Sequence, residues 1–272
     1  MAKKPQRRSP KTTTRQTTWP DLKQRLLDDL KTLKISPVSQ TLDEVLIQAE
    51  QQGWSYVEFA HRMLADFANQ RRERSVARRI KEARFRDVCL LSDFDWNFNS
   101  QAWNRVQIEE MATGAFVGRH ANLVMVGQSG LGKSFMIQAI GRCACVQYRV
   151  RYITSADLLC DLTAALADHT LPKRLRYYAG QELLIIDEFG FDLIERNENP
   201  QAASLLYKII DARHGQRATA LVTNIDFDAW GKYLGDPPLA MAFLDRLVDG
   251  ATLLKTQGKS YRAHRVNQTK PA

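Results

Sequence analysis

No apolar run in this 272-residue chain is long enough to span a bilayer: stretches such as Leu183 to Ile186 fall far short of the roughly 20 residues required. The amino terminus, MAKKPQRRSPKTTTRQ, carries charge but no following apolar segment, which excludes a secretory signal. Cysteine is scarce. The four present, Cys89, Cys143, Cys145 and Cys160, form no C-x-x-C pair and have no histidine at zinc-ligand spacing. They read as reduced core thiols, and together these absences predict a cytoplasmic protein without a membrane partner. Acid is missing from residues 1–18, which hold six basic side chains and too little apolar surface to order themselves; a disordered basic arm is expected there. Internal repeats at solenoid or propeller periods are also lacking.

The charge that is present is unevenly placed. The chain carries a net charge of +9, and residues 1–86 hold 19 basic and 10 acidic side chains, whereas residues 87–272 hold 20 of each. Such a concentrated excess points to a polyanionic partner. Helical spacing of Leu22, Leu26, Leu27, Leu30 and Leu33, a second helix between Ser36-Pro37 and Gly53, and a Ser55/Glu58 capping box opening a third predict a small all-helical domain over 19–86. The expected apolar face of the third helix is Tyr56, Ala60, Met63, Leu64 and Phe67. Running on, it reaches eight basic residues, Arg71, Arg72, Arg74, Arg78, Arg79, Lys81, Arg84 and Arg86, read either as a solvated helix surface or as a phosphate-binding face. A linker and pre-core helix occupy 87–119, where LLSDFDWNFNSQAWN is rich in aromatic residues and assigned to neither packing nor binding.

From residue 120 to 272 the pattern changes. Short apolar runs, ANLVMVG, YRVRYIT, ELLIIDE, ATALVTN and ATLLKTQ, alternate with helix-length segments. Unbroken apolar strands alternating with helices mean a parallel sheet covered on both faces, an α/β domain with five strands.

Gly127-Gln128-Ser129-Gly130-Leu131-Gly132-Lys133-Ser134 matches G-x-x-x-x-G-K-[ST] directly after one of these strands, with Phe135 continuing into the next helix. Glycines there aim backbone N–H groups at a phosphate and the helix N-terminus favours its charge. Lys133 is then expected to bridge β- and γ-phosphates, and Ser134 to hold Mg²⁺. Leu183 to Ile186 ends in Asp187-Glu188: Asp187 is expected at the metal and Glu188 at the attacking water. Asn224 ends the following strand and is expected to orient that water from the opposite side. That strand continues Asn224-Ile225-Asp226 instead of the N-K-x-D that reads guanine, so ATP is the expected nucleotide.

These motifs, with GWSYVEFAHRML, RRIKEARF, DFDW, LLIIDEFGFD, TNIDFDAWGKYLGDPPLAMAFLDRL and GKSYR, resemble the AAA+ ATPases of the initiator and helicase-loader group over residues 20–265, most nearly the IstB-like helper ATPases of insertion sequences, related to the helicase loader DnaC. The resemblance implies a P-loop AAA+ core without a C-terminal lid domain. It also implies that Arg246 serves a neighbouring subunit's γ-phosphate and that Arg262 acts as a sensor on nucleotide, so that ATP promotes self-assembly. The corresponding function is an ATPase that assembles on duplex DNA with little sequence specificity and assists a transposase. Lys173, Arg174 and Arg176, between the second and third strands, are then further DNA-contact candidates beside the Arg71–Arg86 series. A helicase loader and a nucleotide-gated interaction module without hydrolysis remain alternatives.

Overall fold

A computed structural model describes residues 19–33, 39–99, 101–261 and 264. The expected arm at 1–18 and the sensor candidate Arg262 lie outside the described residues. Three helices come first: α1 (Trp19–Thr32), α2 (Ser39–Gln52) and α3 (Tyr56–Ala83). The capping box forms as its spacing requires: Ser55 N–H donates to Glu58 Oε2 at 2.9 Å and Glu58 N–H returns to Ser55 Oγ at 3.3 Å. From the apolar face expected of α3, Tyr56 is 95% exposed and Leu64 also faces solvent, whereas Ala60, Met63 and Phe67 are half-buried. Among the described residues three helices supply this unit, and its fully buried apolar residues are Leu30 and Leu42.

The chain divides into two compact units, with the boundary between Arg74 and Ser75 inside α3. The end of α3 therefore belongs with the second unit. Ala83 is fully buried in its core, with Ile80 and Phe85 packed alongside.

In that unit follow α4 (Arg105–Ala112), α5 (Ala115–Gly118), β1 (Leu123–Gly127), α6 (Lys133–Ala144), β2 (Val150–Thr154), α7 (Ser155–Ala167), α8 (Leu171–Ala179) and β3 (Leu183–Phe189). Then come α9 (Leu193–Glu198), α10 (Ala202–Arg213), β4 (Ala218–Thr223), α11 (Trp230–Leu234), α12 (Pro237–Val248) and β5 (Thr252–Thr256). The five strands form one parallel sheet in the order β2-β3-β4-β1-β5. Alternate residues enter opposite cores, as a pleat dictates. Leu123 and Met125 of β1 and Leu183 and Ile185 of β3 pack with Met136, Ile137 and Ile140 of α6. Val124, Val126, Leu184 and Ile186 meet Leu158 and Leu162 of α7, Leu206 and Ile209 of α10 and Phe243 of α12. Burial on both faces is why these strands read as continuous apolar runs.

No helix of the described residues is long and apolar enough to cross a membrane. Among the cysteines, Cys89 and Cys145 are buried and Cys143 is half-buried, but Cys160 is exposed, so it is not the core thiol expected of it. Its place on α7, in the turn after Leu158 and Leu159 face the sheet, turns it outward.

Candidate functional site

Two of the loop glycines are required by geometry. Gly132 precedes α6 with φ +85°, a left-handed conformation that a side chain disfavours. Gly127 ends β1 so close to β5 that an added Cβ would lie 2.3 Å from the Thr256 carbonyl oxygen. Between them the loop closes on itself: Lys133 Nζ donates to the carbonyls of Gly127 at 2.6 Å and Gln128 at 2.7 Å. Tyr261 N–H donates to Gly130 O at 2.9 Å, so the segment after β5 lies against the loop.

Because β4 lies between β1 and β3 in the sheet, the loop after β1, Asn224 after β4 and the Asp187-Glu188 pair of β3 stand side by side on one carboxyl edge. Asn224 thus stands between the loop and the acids on that edge; sequence order does not reveal that β4 is inserted there. Asp187 is 1% exposed. Its Oδ1 accepts from Ser134 Oγ at 3.2 Å and from the Glu188 N–H at 2.7 Å, while Oδ2 accepts from the Tyr152 hydroxyl at 2.8 Å. Burial, reinforced by the charge of Asp187, pushes the Tyr152 phenol far above its ordinary range, so it stays a donor. Glu188 has φ +56°, in a region side chains rarely occupy, at an irregularity in the β3–β4 register between Ile186 and Phe189.

A cavity of about 660 Å³ joins these groups. Ser129 to Phe135, Asp187, Glu188 and Asn224 form one side, and Val88, Cys89, Phe94, Phe98 and Tyr261 form much of the other. The aromatic linker is thus a wall of the site. Phe94 packs edge-on to Trp96 and Trp103 with ring centroids 4.9 and 6.3 Å apart, and Trp103 Nε1 donates to Leu131 O at 3.0 Å, bracing the loop. Nothing in the sequence pattern assigned Tyr152, Trp103 or the 87–99 wall to the site, since each reaches it only through the fold.

The remaining candidates divide. Arg86, counted in the basic helix, instead donates to Glu188 Oε2 at 3.1 Å and pairs with Asp157 at 3.5 Å. Arg79 does not join an open phosphate-binding face: Nε and Nη2 donate to the Cys145 and Val146 carbonyls just past α6, each at 2.5 Å, because those helix-end carbonyls need donors. Arg71, Arg72, Arg74, Arg78, Lys81 and Arg84 are exposed along or just past α3, and Lys173, Arg174 and Arg176 are exposed on α8. Arg246, on α12, pairs with Asp211 at 3.1 Å and Asp245 at 3.3 Å and is not part of the cavity wall.

The parallel sheet and the loop that follows β1 define a P-loop fold of the AAA+ type. Solved structures agree on the fold: DnaI superposes with a TM-score of 0.51 at 20% identity over 62% of this chain and 91% of that one, and AMPPCP-bound DnaA from Aquifex aeolicus with 0.51 at 19% over 68% and 55%. The family model for IstB-like ATP binding protein matches residues 28–269, and the chain belongs to that family. A relative described as the ATP-binding protein of insertion sequence IS232 in Bacillus thuringiensis subsp. berliner is 32% identical over 88% of this chain and 94% of its own length.

Proposed function

We propose that this chain is an ATPase that assembles on duplex DNA and assists the transposase of an insertion sequence, its nucleotide state setting the lifetime of the assembly. The observation that carries the catalytic part is the single cavity that gathers the phosphate loop, Asp187, Glu188 and Asn224. Lys133 is the cation for the β- and γ-phosphates, held ready by two loop carbonyls. The Ser134 hydroxyl and the buried Asp187 carboxylate, already in contact, are a hard-oxygen pair that would hold Mg²⁺. Held there, the ion would supply positive charge to offset that of the phosphates. Glu188 takes the proton of the attacking water and Asn224 orients it. Phe94 and Phe98 offer apolar surface to the adenine side.

Family membership and the relative's insertion-sequence setting support the transposition reading. Arg246, half-buried on α12, lies outside its own chain's cavity wall, which supports a role at the site of a neighbouring copy. Exposed basic residues on α3 and α8 supply phosphate contacts, whose contribution falls steeply as salt rises.

The test is light scattering and ATP turnover on the wild type and Glu188→Gln, with and without duplex or single-stranded DNA. Glu188→Gln should bind ATP and hold large complexes on duplex while turnover falls by about 10²- to 10⁴-fold. Unchanged turnover would sink the assignment of Glu188; assembly confined to single strands would favour a helicase loader.

A further inference from the structure

Beyond the nucleotide cavity, the second unit contains a strongly cationic pocket of about 390 Å³ at the β2 edge of the sheet, walled by Arg84, Arg86, Arg151 and Arg174 with Asp157 and Asp161. Arg151 is its base. The residue lies on β2 and is only 8% exposed, yet its Nε and Nη1 have no hydrogen-bond partner among the described residues. A guanidinium taken out of water with two unmet donors is strongly unfavourable unless an acceptor arrives. The wall carboxylates do not meet that need. Asp161 accepts from the Tyr178 hydroxyl at 2.7 Å and pairs with Arg174 at 3.1 Å, and Asp157 accepts from Thr154 Oγ1 at 2.6 Å and pairs with Arg86 at 3.5 Å. Four guanidinium groups against two engaged carboxylates leave a net positive site.

We infer that this pocket binds a phosphate group, carried either by a nucleic-acid backbone or by a free phosphate compound. A tetrahedral oxyanion offers several acceptors in different directions, which suits converging guanidinium forks better than a single carboxylate does. The site is distinct from the phosphate loop, which lies at the carboxyl end of β1, with β3 and β4 between β1 and β2 in the sheet order. One residue links them: Arg86 lines this pocket and also donates to Glu188. An anion seated here competes with Glu188 for that guanidinium. This link, unlike the pocket itself, rests on the proposed hydrolysis.

The experiment is thermal melting with the phosphate loop saturated by AMPPCP and magnesium, in inorganic phosphate or in chloride of equal ionic strength. Phosphate should raise the melting temperature of the wild type above the chloride value. Arg151→Met should lose that response and melt higher than wild type in chloride, having shed a buried unpaired charge. Arg174→Gln, an exposed change that does not threaten folding, should also weaken the response. If phosphate stabilises the wild type and both variants equally, the proposal fails. Short duplex DNA separates the sources. Loss of the phosphate response once duplex is bound assigns the site to backbone phosphate, and persistence assigns it to a free phosphate compound; either keeps the pocket. For the link, DNA or phosphate that raises wild-type ATP turnover should leave Arg151→Met turnover flat. An equal rise in that variant would overturn the link, whereas absence of turnover from wild type under every condition would count against the hydrolysis reading and leave the melting result standing.

Discussion

Arg86 Nη1 lies 3.1 Å from Glu188 Oε2, joining the chain just past the end of α3 to the carboxylate proposed to activate water. Both side chains remain nearly half exposed, so the pair holds by geometry more than by energy: about 1 kcal/mol or less at that exposure. Arg86→Gln should release the Glu188 carboxylate from this contact and free it to meet water. Basal ATP turnover is expected to rise by about two- to fivefold, the factor that such an energy allows. A phosphate-release assay without DNA measures it, and a fall instead would mean that the pair orients the carboxylate for catalysis.

Arg78 and Arg79 are adjacent, and the structure separates their roles. Arg78 is exposed with only a 3.9 Å contact to Glu82, while Arg79 is spent on the carbonyls after α6. Arg78→Glu should weaken duplex binding and lower the slope of log affinity against log salt by about one, with no change in urea midpoint. Arg79→Ala should do the reverse, costing about 1–3 kcal/mol of stability through the lost bonds. Fluorescence anisotropy and urea denaturation on the same preparations separate the two.

Tyr152→Phe keeps the ring and removes the hydroxyl that meets Asp187 Oδ2. A buried carboxylate left short of a donor costs about 1–3 kcal/mol, so the variant should unfold at lower urea. Magnesium-dependent nucleotide binding should weaken in parallel, as followed by a fluorescent ATP analogue. Loss of stability with nucleotide affinity unchanged would confine Tyr152 to folding.

Gly127→Ala tests the packing of the loop against β5. Its Cβ would fall 2.3 Å from a backbone oxygen that cannot turn aside. Destabilisation of about 1–3 kcal/mol is expected, together with loss of ATP binding, because relief requires the loop itself to move.

Thiol labelling checks the core placement. Cys160 should react rapidly with an aromatic disulfide reagent in the folded protein, whereas burial pushes the Cys145 thiol up to about 12, and it should react only on unfolding.

The sheet and the phosphate loop were legible in the sequence because their signals are local: apolar runs of strand length, and a glycine pattern fixed to a strand and a helix. The Ser55/Glu58 box was legible for the same reason. What escaped depends on contacts far apart in the chain. Trp103 meets Leu131, Tyr152 meets Asp187 and Arg86 meets Glu188 only after β2, β3 and the α3 end are packed. Composition misled at Arg79, since an arginine in a basic run looks the same whether its head meets solvent or a helix-end carbonyl. Strand order was likewise hidden: β4 follows β1 and β3 in the chain yet lies between them in the sheet.

The left-handed backbone at Glu188 solves a problem of phase. In a regular strand, consecutive side chains project to opposite faces, so Asp187 and Glu188 would be divided by their own sheet. One residue out of step cancels that alternation, and both carboxylates border the same cavity. The two-acid sequence therefore works only where the strand loses its rhythm.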